Sequence, residues 1–339
     1  MIINNIKLNS DFKLTVNNQK DRSDDFISRL CDFYKNQPKP YTSDVWTTLY
    51  KRYSKLHDCL IEENIECVRD ILGHLYLNED VMYGLDLWNG PYEPGIVYWF
   101  DSFKRLGSST GVVPLDNPEQ PDGFISNIEE VLNELDKWFG CKISNCDGLS
   151  AHGFLTNERF ITRKYIDALC AFATIIRGEY KHDVVLEIGA GLGNMCCAFF
   201  NAFGSNVKYH AINLPIHSVM MAYFVSSLTG EKNINMDGEV VLDCQSVFIH
   251  GTKVEESLSF DAVINQDSFP ELNESVRNYY AELMVRQLKG NFFSFNQESS
   301  NCNQVSVNKF FGKRKEFKCI SRHHHWGRSG YVEEIFKLI

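Results

Sequence analysis

A short apolar run followed by three alternating glycines constrains this chain more than any other feature. The run Val184–Ile188 has the length and composition of a strand buried in a parallel sheet. Glu187 lies near its end, and glycines follow at Gly189, Gly191 and Gly193. Glycines allow a tight turn and close approach of a ligand to the backbone. The pattern predicts a strand–loop–helix unit whose backbone N–H groups face an adenosine-type ligand.

The glycine spacing distinguishes two kinds of nucleotide site. A dinucleotide fingerprint, Gly-x-Gly-x-x-Gly, needs glycine at position 194, where this chain has Asn194. With Glu187 ahead of them, the glycines instead resemble motif I of the S-adenosylmethionine-dependent methyltransferases. The resemblance implies that Glu187 binds the cofactor's amino group. It also implies that the loop approaches the methionyl part of the cofactor through Gly189, Ala190, Gly191 and Gly193.

Composition narrows the class of protein. The 339 residues carry a formal net charge of −10, which argues against general affinity for nucleic acid or anionic membrane. No basic segment with an apolar stretch opens the chain, and no apolar run approaches the ~20 residues of a membrane span. We therefore expect a cytoplasmic protein. The 11 cysteines are scattered without a Cys-x-x-Cys pair, which predicts reduced thiols.

Helical periodicity dominates residues 1–150, which we predict to form a cap domain that contributes to the acceptor site. Ser23-Asp24 and Ser43-Asp44 are suited to cap the first two helices. The stretch from Leu106 to Phe124 is rich in Gly, Ser, Pro and Asp and predicts a loop. Apolar side chains at three- and four-residue spacing predict helices over Phe26 to Phe33, Trp46 to Leu60, Ile65 to Leu75 and Ile128 to Trp138.

Residues 151–339 alternate strand and helix, which predicts an α/β domain with a largely parallel sheet. The segments Phe317–Arg322 and Tyr331–Ile339 are joined by a connection too short for a crossover helix, so they should be antiparallel. A Rossmann-like seven-stranded sheet ending in such a hairpin is typical of methyltransferases and not of simple nicotinamide domains. The other predicted strands are Val184–Ile188, Val207–Ile212, Ser246–His250, Asp261–Asn265 and Asn291–Phe295.

Three further segments resemble a bacterial family of sugar O-methyltransferases. They are Tyr209–Pro215, Asp261–Glu271 and Gly290–Glu298, and the resemblance covers roughly Leu155 to Ile339. It implies transfer of a methyl group from S-adenosylmethionine to a sugar hydroxyl, often in surface-polysaccharide synthesis. The acceptor would be a free sugar, a nucleotide sugar or a glycan.

The resemblance also assigns residues to the cofactor. Asn213 ends the second strand, where an acidic side chain usually accepts hydrogen bonds from the ribose, so this departure predicts weaker binding or a shifted ribose. Gly251 and Thr252 follow the third strand, where the adenine would pack. Arg163 would reach the cofactor carboxylate, although a surface position on the 157–177 helix is the alternative. Leu214 and Asn265, near the ends of the second and fourth strands, complete the assignment.

Catalysis needs a base, because a sugar hydroxyl is a poor nucleophile. Asp267 and Glu271 follow the fourth strand, and four-residue spacing puts them on one face if Asp267 opens a helical turn. They would serve as base and orienter, or hold Mg²⁺, which is not expected from two carboxylates, or cap a helix. His152, in a flexible segment before the 157–177 helix, is a rival base.

The acceptor is assigned to the connection between the last two strands. Adjacent side chains in a strand alternate faces, so His323-His324-His325 should not chelate one ion. His325, Trp326 and Arg328 are instead predicted sugar contacts. Three other functions stay open: methylation of another small hydroxyl or acid, nicotinamide-dependent oxidoreduction, which Asn194 and the hairpin disfavour, and a degenerate non-catalytic methyltransferase fold, which Asn213 keeps open.

Overall fold

The computed structural model describes residues 2–3, 6–7, 13–16, 21–38, 51–75, 92–115, 126–144, 152–156, 159–178, 180–298 and 305–339. In its N-terminal part, short strands alternate with helices and form two small three-stranded sheets, β1–β2–β4 and β3–β5–β6. The elements are β1 (Ile2–Ile3), β2 (Ile6–Lys7), β3 (Lys13–Val16), α1 (Asp24–Asn36), α2 (Ser54–Ile61), α3 (Ile65–Gly73), α4 (Tyr92–Thr110), β4 (Ser126–Asn127), α5 (Ile128–Phe139), β5 (His152–Leu155) and β6 (Phe160–Thr162).

The predicted N-terminal helices form in the described residues with two changes: Lys51–Tyr53 is a 3₁₀ turn ahead of α2, and α3 ends at Gly73 rather than Leu75. Ser23 caps α1, and its side chain accepts a hydrogen bond from the backbone N–H of Phe26. The predicted loop beginning at Leu106 starts too early, because α4 continues to its end at Thr110. The cap Ser43-Asp44 lies outside the described residues. No helix among the described residues is long and apolar enough to cross a membrane.

A single large sheet organises the rest of the chain. Its strand order is β13-β14-β12-β11-β7-β8-β10-β9, with parallel pairs except where β14 lies antiparallel between β12 and β13. The elements are α6 (Arg163–Arg177), β7 (Val184–Ile188), α7 (Asn194–Phe203), β8 (Lys208–Ile212), α8 (Pro215–Thr229), β9 (Ile234–Met236), β10 (Val247–His250), β11 (Phe260–Gln266), α9 (Glu274–Gln287), β12 (Leu288–Gln297), α10 (Val307–Phe311), β13 (Phe317–His324) and β14 (Tyr331–Leu338).

This architecture confirms the predicted Rossmann-like α/β fold with a C-terminal antiparallel hairpin. The sheet has eight strands rather than the predicted seven, because β9 adds an edge strand beside β10. With three residues, β9 is too short to give a strand signal in the sequence. The carboxyl ends of β7, β8, β10 and β11 meet at one edge of the sheet, where ligands bind in open α/β folds.

The parallel strands of the sheet are buried on both faces, which explains their continuous apolar sequences. Successive side chains point to opposite faces, so Val185 and Phe293 join one hydrophobic cluster while Leu186 and Phe292 join the other. The first cluster includes α6, α7 and α8 together with the N-terminal helices. The second includes α9 and α10. A shared core therefore connects the predicted cap to the sheet, and the boundary at residue 150 stays a prediction.

One cysteine pair departs from the prediction of thiols throughout. Cys59 on α2 and Cys67 on α3 form a disulfide, with a Cα–Cα distance of 5.9 Å. The eight-residue separation of the two cysteines gave no recognisable motif, and only the packing of α2 against α3 brings them together. The other described cysteines form no disulfide with one another, and four of them, Cys31, Cys170, Cys196 and Cys197, are buried.

Candidate functional site

A cavity of about 540 Å³ lies at the carboxyl ends of the parallel strands. Its wall brings together residues from the glycine loop, the end of β8, the segment after β10, the end of β11 and the β13–β14 connection. This edge of the sheet is where the sequence placed the ligand. The predicted site residues that line the cavity are Glu187, Gly189, Ala190, Gly191, Asn213, Leu214, Thr252, Asp267 and Arg328.

The three loop glycines have different physical roles, although all adopt positive φ. A Cβ on Gly189 would lie 2.2 Å from Ser268 Oγ, and one on Gly193 would lie 2.6 Å from Val225 Cγ2. These two glycines permit close packing of the loop. A Cβ on Gly191 would meet nothing within 4 Å, and Gly191 lines the cavity. A side chain at Gly191 would therefore enter the space that a ligand needs.

Asn213 holds the glycine loop through both atoms of its amide. Its Oδ1 accepts from the backbone N–H of Gly191 at 3.0 Å, and its Nδ2 donates to the carbonyl of Gly191 at 3.1 Å. A carboxylate could accept from the N–H but has no proton to donate to the carbonyl. The pairing gives a physical reason for an amide at this strand end, where the resemblance to methyltransferases implies that an acidic side chain is usual.

Asn213→Asp is expected to weaken binding of S-adenosylmethionine about tenfold, or about 1.4 kcal/mol, because the loop loses a donor and gains a repulsion. Calorimetric titration measures the change. Asn235→Asp is the matched control, since Asn235 is a buried amide outside the cavity wall that donates to Gln245. Tighter binding by Asn213→Asp would contradict the role of Asn213 and restore the expectation of a ribose carboxylate.

Glu187 is a buried carboxyl group on the cavity wall. It is 3% exposed, and Tyr209 Oη donates to its Oε2 at 2.6 Å. Burial raises the pKa of the Glu187 carboxyl to about 7, against the opposing hydrogen bond from Tyr209. Oε1 has no partner among the described residues. A cationic ligand group would restore the ionised form and fill the remaining acceptor position.

Asp267 is the centre of a cluster of charged and polar side chains. Its Oδ2 accepts from Arg328 Nη1 at 2.5 Å and from Lys164 Nζ at 3.2 Å, and Tyr331 donates to Oδ1. Burial would raise the pKa of Asp267, but the charges of Lys164 and Arg328 and the bonds from Tyr331 and Arg328 outweigh it and lower the pKa to about 2. A carboxylate so stabilised is a weak base, so its geometry favours orienting the two cations.

The proposed pairing of Asp267 with Glu271 does not form. Asp267 has a φ of +63°, so it does not open a helical turn, and the short 3₁₀ turn begins later, at Phe269–Glu271. Glu271 is not among the residues that line the cavity. No group of three or more His, Cys, Asp or Glu suited to a metal ion occurs in the described part of the chain. A metal at Asp267 would have to displace three donors.

Two predicted cofactor residues make structural contacts outside the cavity wall. Gly251 donates its N–H to Asp237 Oδ2 at 2.9 Å. Asn265 is fully buried; its Nδ2 donates to the carbonyl of Ile188 at 2.7 Å. Its Oδ1 accepts from Phe269 N–H at 3.1 Å. Asn265 therefore fixes the turn after β11 to the end of β7, which positions the wall without lining it.

Arg163, His325 and Trp326 also lie off the described cavity wall. Arg163 begins α6, one residue before Lys164, which does line the cavity. His325 is buried, whereas Trp326 is 49% exposed. His152 lies on β5, paired with β3, rather than in a flexible segment. The side chain of His152 is outside the described residues, so its role as a base stays a prediction.

The cavity residues that were not predicted from the sequence include three with titratable side chains. Lys164 and Asp167 lie on α6, and His217 lies on the first turn of α8. His217 Nε2 lies 3.1 Å from Tyr53 Oη, so the N-terminal part of the chain contacts a residue of the wall. Burial lowers the pKa of His217 to about 3, which keeps the ring neutral. The signal for Asp167 was available, because it is a charged residue on the apolar face of a predicted helix.

Comparison with known proteins gives a partial structural likeness. No family model matches the chain, and no curated protein matches it significantly. A glycopeptide N-methyltransferase solved with S-adenosyl-L-methionine is 16% identical over 50% of this chain and 92% of its own, with a TM-score of 0.37. A protein from Pyrococcus horikoshii OT3 is 14% identical over 52% of this chain and 91% of its own, with a TM-score of 0.40.

A third solved structure is a Burkholderia thailandensis 1,6-didemethyltoxoflavin-N1-methyltransferase with bound 1,6-didemethyltoxoflavin and S-adenosylhomocysteine. It is 13% identical over 51% of this chain and 77% of its own, with a TM-score of 0.36. Because these identities and scores are low, the function of this chain has to be inferred from its own site.

Proposed function

We propose that this protein is an S-adenosylmethionine-dependent O-methyltransferase that methylates a sugar hydroxyl. One observation carries the proposal: the open side of the glycine loop and the buried carboxyl of Glu187 line the same cavity. The loop provides a backbone surface for the methionyl part of the cofactor. Glu187 provides the acceptor for its ammonium group. When bound, the cofactor supplies an electrophilic methyl group on a sulfonium.

The charge of the ligand favours S-adenosylmethionine over a dinucleotide. In the ligand-free protein, burial disfavours the ionised form of the Glu187 carboxyl and so raises its pKa. An ammonium group beside it would offset the lost hydration, whereas a dinucleotide carries negative phosphates. Asn194, at the position where a dinucleotide loop needs glycine, also lines the cavity. Both features support the amino-acid-bearing cofactor.

The polar cluster beside the loop supports the proposed acceptor class. Lys164, Gln266, Asp267 and Arg328 line the cavity with donors and acceptors, which suit a ligand with several hydroxyl groups. The exposed indole of Trp326, in the same connection as Arg328, offers a surface on which a sugar ring can stack. We propose a free sugar, nucleotide sugar or glycan as acceptor, used in the cytoplasm for polysaccharide synthesis.

We also propose that residues 1–150 form the cap over the acceptor. The contact between Tyr53 and His217 supports this, because it connects the N-terminal part to the cavity wall. Aligning the acceptor oxygen with the methyl group is the main task of such a site. The cap would limit which acceptors reach that alignment.

Gly191→Arg is expected to abolish binding of S-adenosylmethionine and S-adenosylhomocysteine, because the new side chain enters the cavity. Calorimetric titration of the full chain with both ligands, and with NAD beside them, measures this. Gly140→Arg is the matched control, since Gly140 also has a positive φ and open space at its Cβ but lies at the end of α5, outside the cavity wall. NAD binding without S-adenosylmethionine binding would contradict the proposed cofactor.

The acceptor is tested separately by mass spectrometry of reactions with glucose, galactose, mannose, rhamnose and UDP-glucose. Methylation of one of these at a hydroxyl supports the proposal. Methylation of a phenol or small carboxylic acid, without any sugar product, would contradict the acceptor class while leaving the cofactor assignment intact.

A further inference from the structure

Asp167 is a buried carboxylate that the structure leaves without hydrogen bonds. It is 1% exposed, and neither Oδ1 nor Oδ2 has a hydrogen-bond partner among the described residues. The nearest cation recorded for it is Arg163, whose Nη2 lies 3.8 Å from Oδ2, beyond hydrogen-bond distance. Asp167 nevertheless lines the cavity that holds Glu187 and Gly191.

The surroundings place Asp167 beside the polar cluster of the acceptor side. The carbonyl of Asp167 accepts from Gln266 Nε2 at 3.2 Å, which fixes this turn of α6 against the end of β11. Burial lowers the pKa of Arg328, and the carboxylates of Asp267 and Asp167 raise it above its usual value. Asp167 is therefore close enough to act on the same guanidinium that binds Asp267.

The carboxylates of Asp267 and Asp167 differ in the number of hydrogen bonds that they accept. Asp267 accepts bonds from three side chains, which occupy three of its roughly four acceptor positions. Asp167 accepts none through its side chain. A buried carboxylate without hydrogen bonds destabilises a folded chain, and such exceptions to the rules of stable packing concentrate at functional sites. Folding stability does not explain the buried Asp167 carboxylate, which is a hydrogen-bond acceptor that a donor on a ligand could fill.

We propose that Asp167 is the general base of the methyl transfer. The proposal rests on the proposed function. The Asp167 carboxylate takes the proton of the acceptor hydroxyl while the hydroxyl oxygen forms its bond to the methyl carbon. The electron pair of the broken carbon–sulfur bond stays on the sulfur, which becomes neutral. Asp167 then returns the proton to solvent after the products leave, and the two cations held by Asp267 orient the acceptor.

Asp167→Asn tests the proposal with two measurements on the full chain. We expect kcat with the sugar that the wild-type chain methylates to fall at least 100-fold, the usual contribution of a general base. We expect calorimetric affinity for S-adenosylmethionine to stay within threefold. We expect the unfolding midpoint of the ligand-free protein to rise by about 2 °C, because a neutral amide replaces a buried carboxylate that accepts no hydrogen bond.

Asp136→Asn is the matched control, because Asp136 is a carboxylate outside the cavity wall that is fully partnered. Its Oδ1 and Oδ2 each accept from Arg159 at 2.9 Å, so the control should lower the midpoint and leave kcat unchanged. Retained turnover in Asp167→Asn, or a lowered midpoint, would overturn the proposal. If the wild-type chain methylates a phenol or small carboxylic acid and none of the five sugars, the acceptor class fails, and kcat of Asp167→Asn with that acceptor decides whether Asp167 is the base.

Discussion

Glu187→Gln is expected to weaken binding of S-adenosylmethionine about 100-fold, or about 2.7 kcal/mol, because an amide cannot neutralise the ammonium group of the ligand. The loss should be large because the carboxyl is buried and its only described partner is Tyr209. Calorimetric titration at pH 8 measures it. S-adenosylhomocysteine, which carries the same ammonium, should lose affinity to the same extent.

The pH dependence of wild-type binding identifies the group responsible. The pKa of the free Glu187 carboxyl is about 7, and the ammonium favours its ionised form, so affinity should rise with pH up to about 7 and then level off. Glu187→Gln should show a flat profile. Glu334→Gln is the matched control, since Glu334 is equally buried with a raised pKa but is bound to Arg322 and lies off the cavity wall. A wild-type affinity independent of pH would exclude Glu187 as the ammonium partner.

The stability of the ligand-free protein should fall as pH rises, whereas the affinity for the ligand should rise. Because folding raises the pKa of Glu187 from 4.5 to about 7, its contribution to stability is present below about pH 4.5 and is lost as pH rises through 7. At pH 8, Glu187→Gln should therefore be more stable than wild type by up to about 3 kcal/mol. Denaturant unfolding without ligand at pH 5 and pH 8 measures this difference, and equal stabilities at pH 8 would contradict it.

Asp267→Ala is expected to destabilise the protein by about 2 kcal/mol, because Lys164 and Arg328 lose their shared counter-charge and Tyr331 loses its acceptor. The value is below that of a fully buried pair, since Asp267 is a quarter exposed. Denaturant unfolding at pH 7 measures it. Asp101→Ala is the control, because Asp101 pairs with Arg105 on the outside of α4 and should leave unfolding unchanged within error.

Acid should remove the contribution of Asp267. The pKa of Asp267 is lowered from 3.8 to about 2 in the folded protein, so its stabilisation is present above about pH 4 and is lost as pH falls through 2. The difference in stability between wild type and Asp267→Ala should therefore narrow between pH 4 and pH 2. A difference that stays constant over this range would show that packing, rather than charge, sets the effect.

Local patterns predicted much of this fold. The strand Val184–Ile188 and the helix that follows the glycines form as expected because both signals lie within a few adjacent residues. The C-terminal hairpin was predictable from the length of its connection. By contrast, β9 has three residues, and the small N-terminal sheets have strands of two to four residues, too few for a periodic signal.

Side-chain roles were harder to predict because they depend on partners far along the chain. Asp267 was predicted to be a base, and its contacts with Lys164 and Tyr331, which lie 103 and 64 residues away, favour an orienting role. Asn213 was predicted to contact the ribose; its amide pairs with Gly191, and the ribose contact stays a prediction. Neither pairing leaves a pattern in the sequence. Asp167 did leave one, a charge among apolar neighbours on a helix face.

The position of β14 between β12 and β13 determines how the end of the chain is attached to the sheet. Because β13 pairs only with β14 among the described strands, the hairpin is joined to the rest of the sheet through the pairing of β14 with β12. Arg328 and Tyr331 belong to the connection and first residue of that hairpin. The contacts that complete the cluster around Asp267 therefore depend on the docking of the hairpin on β12, and a chain whose hairpin is detached would have an incomplete cavity wall.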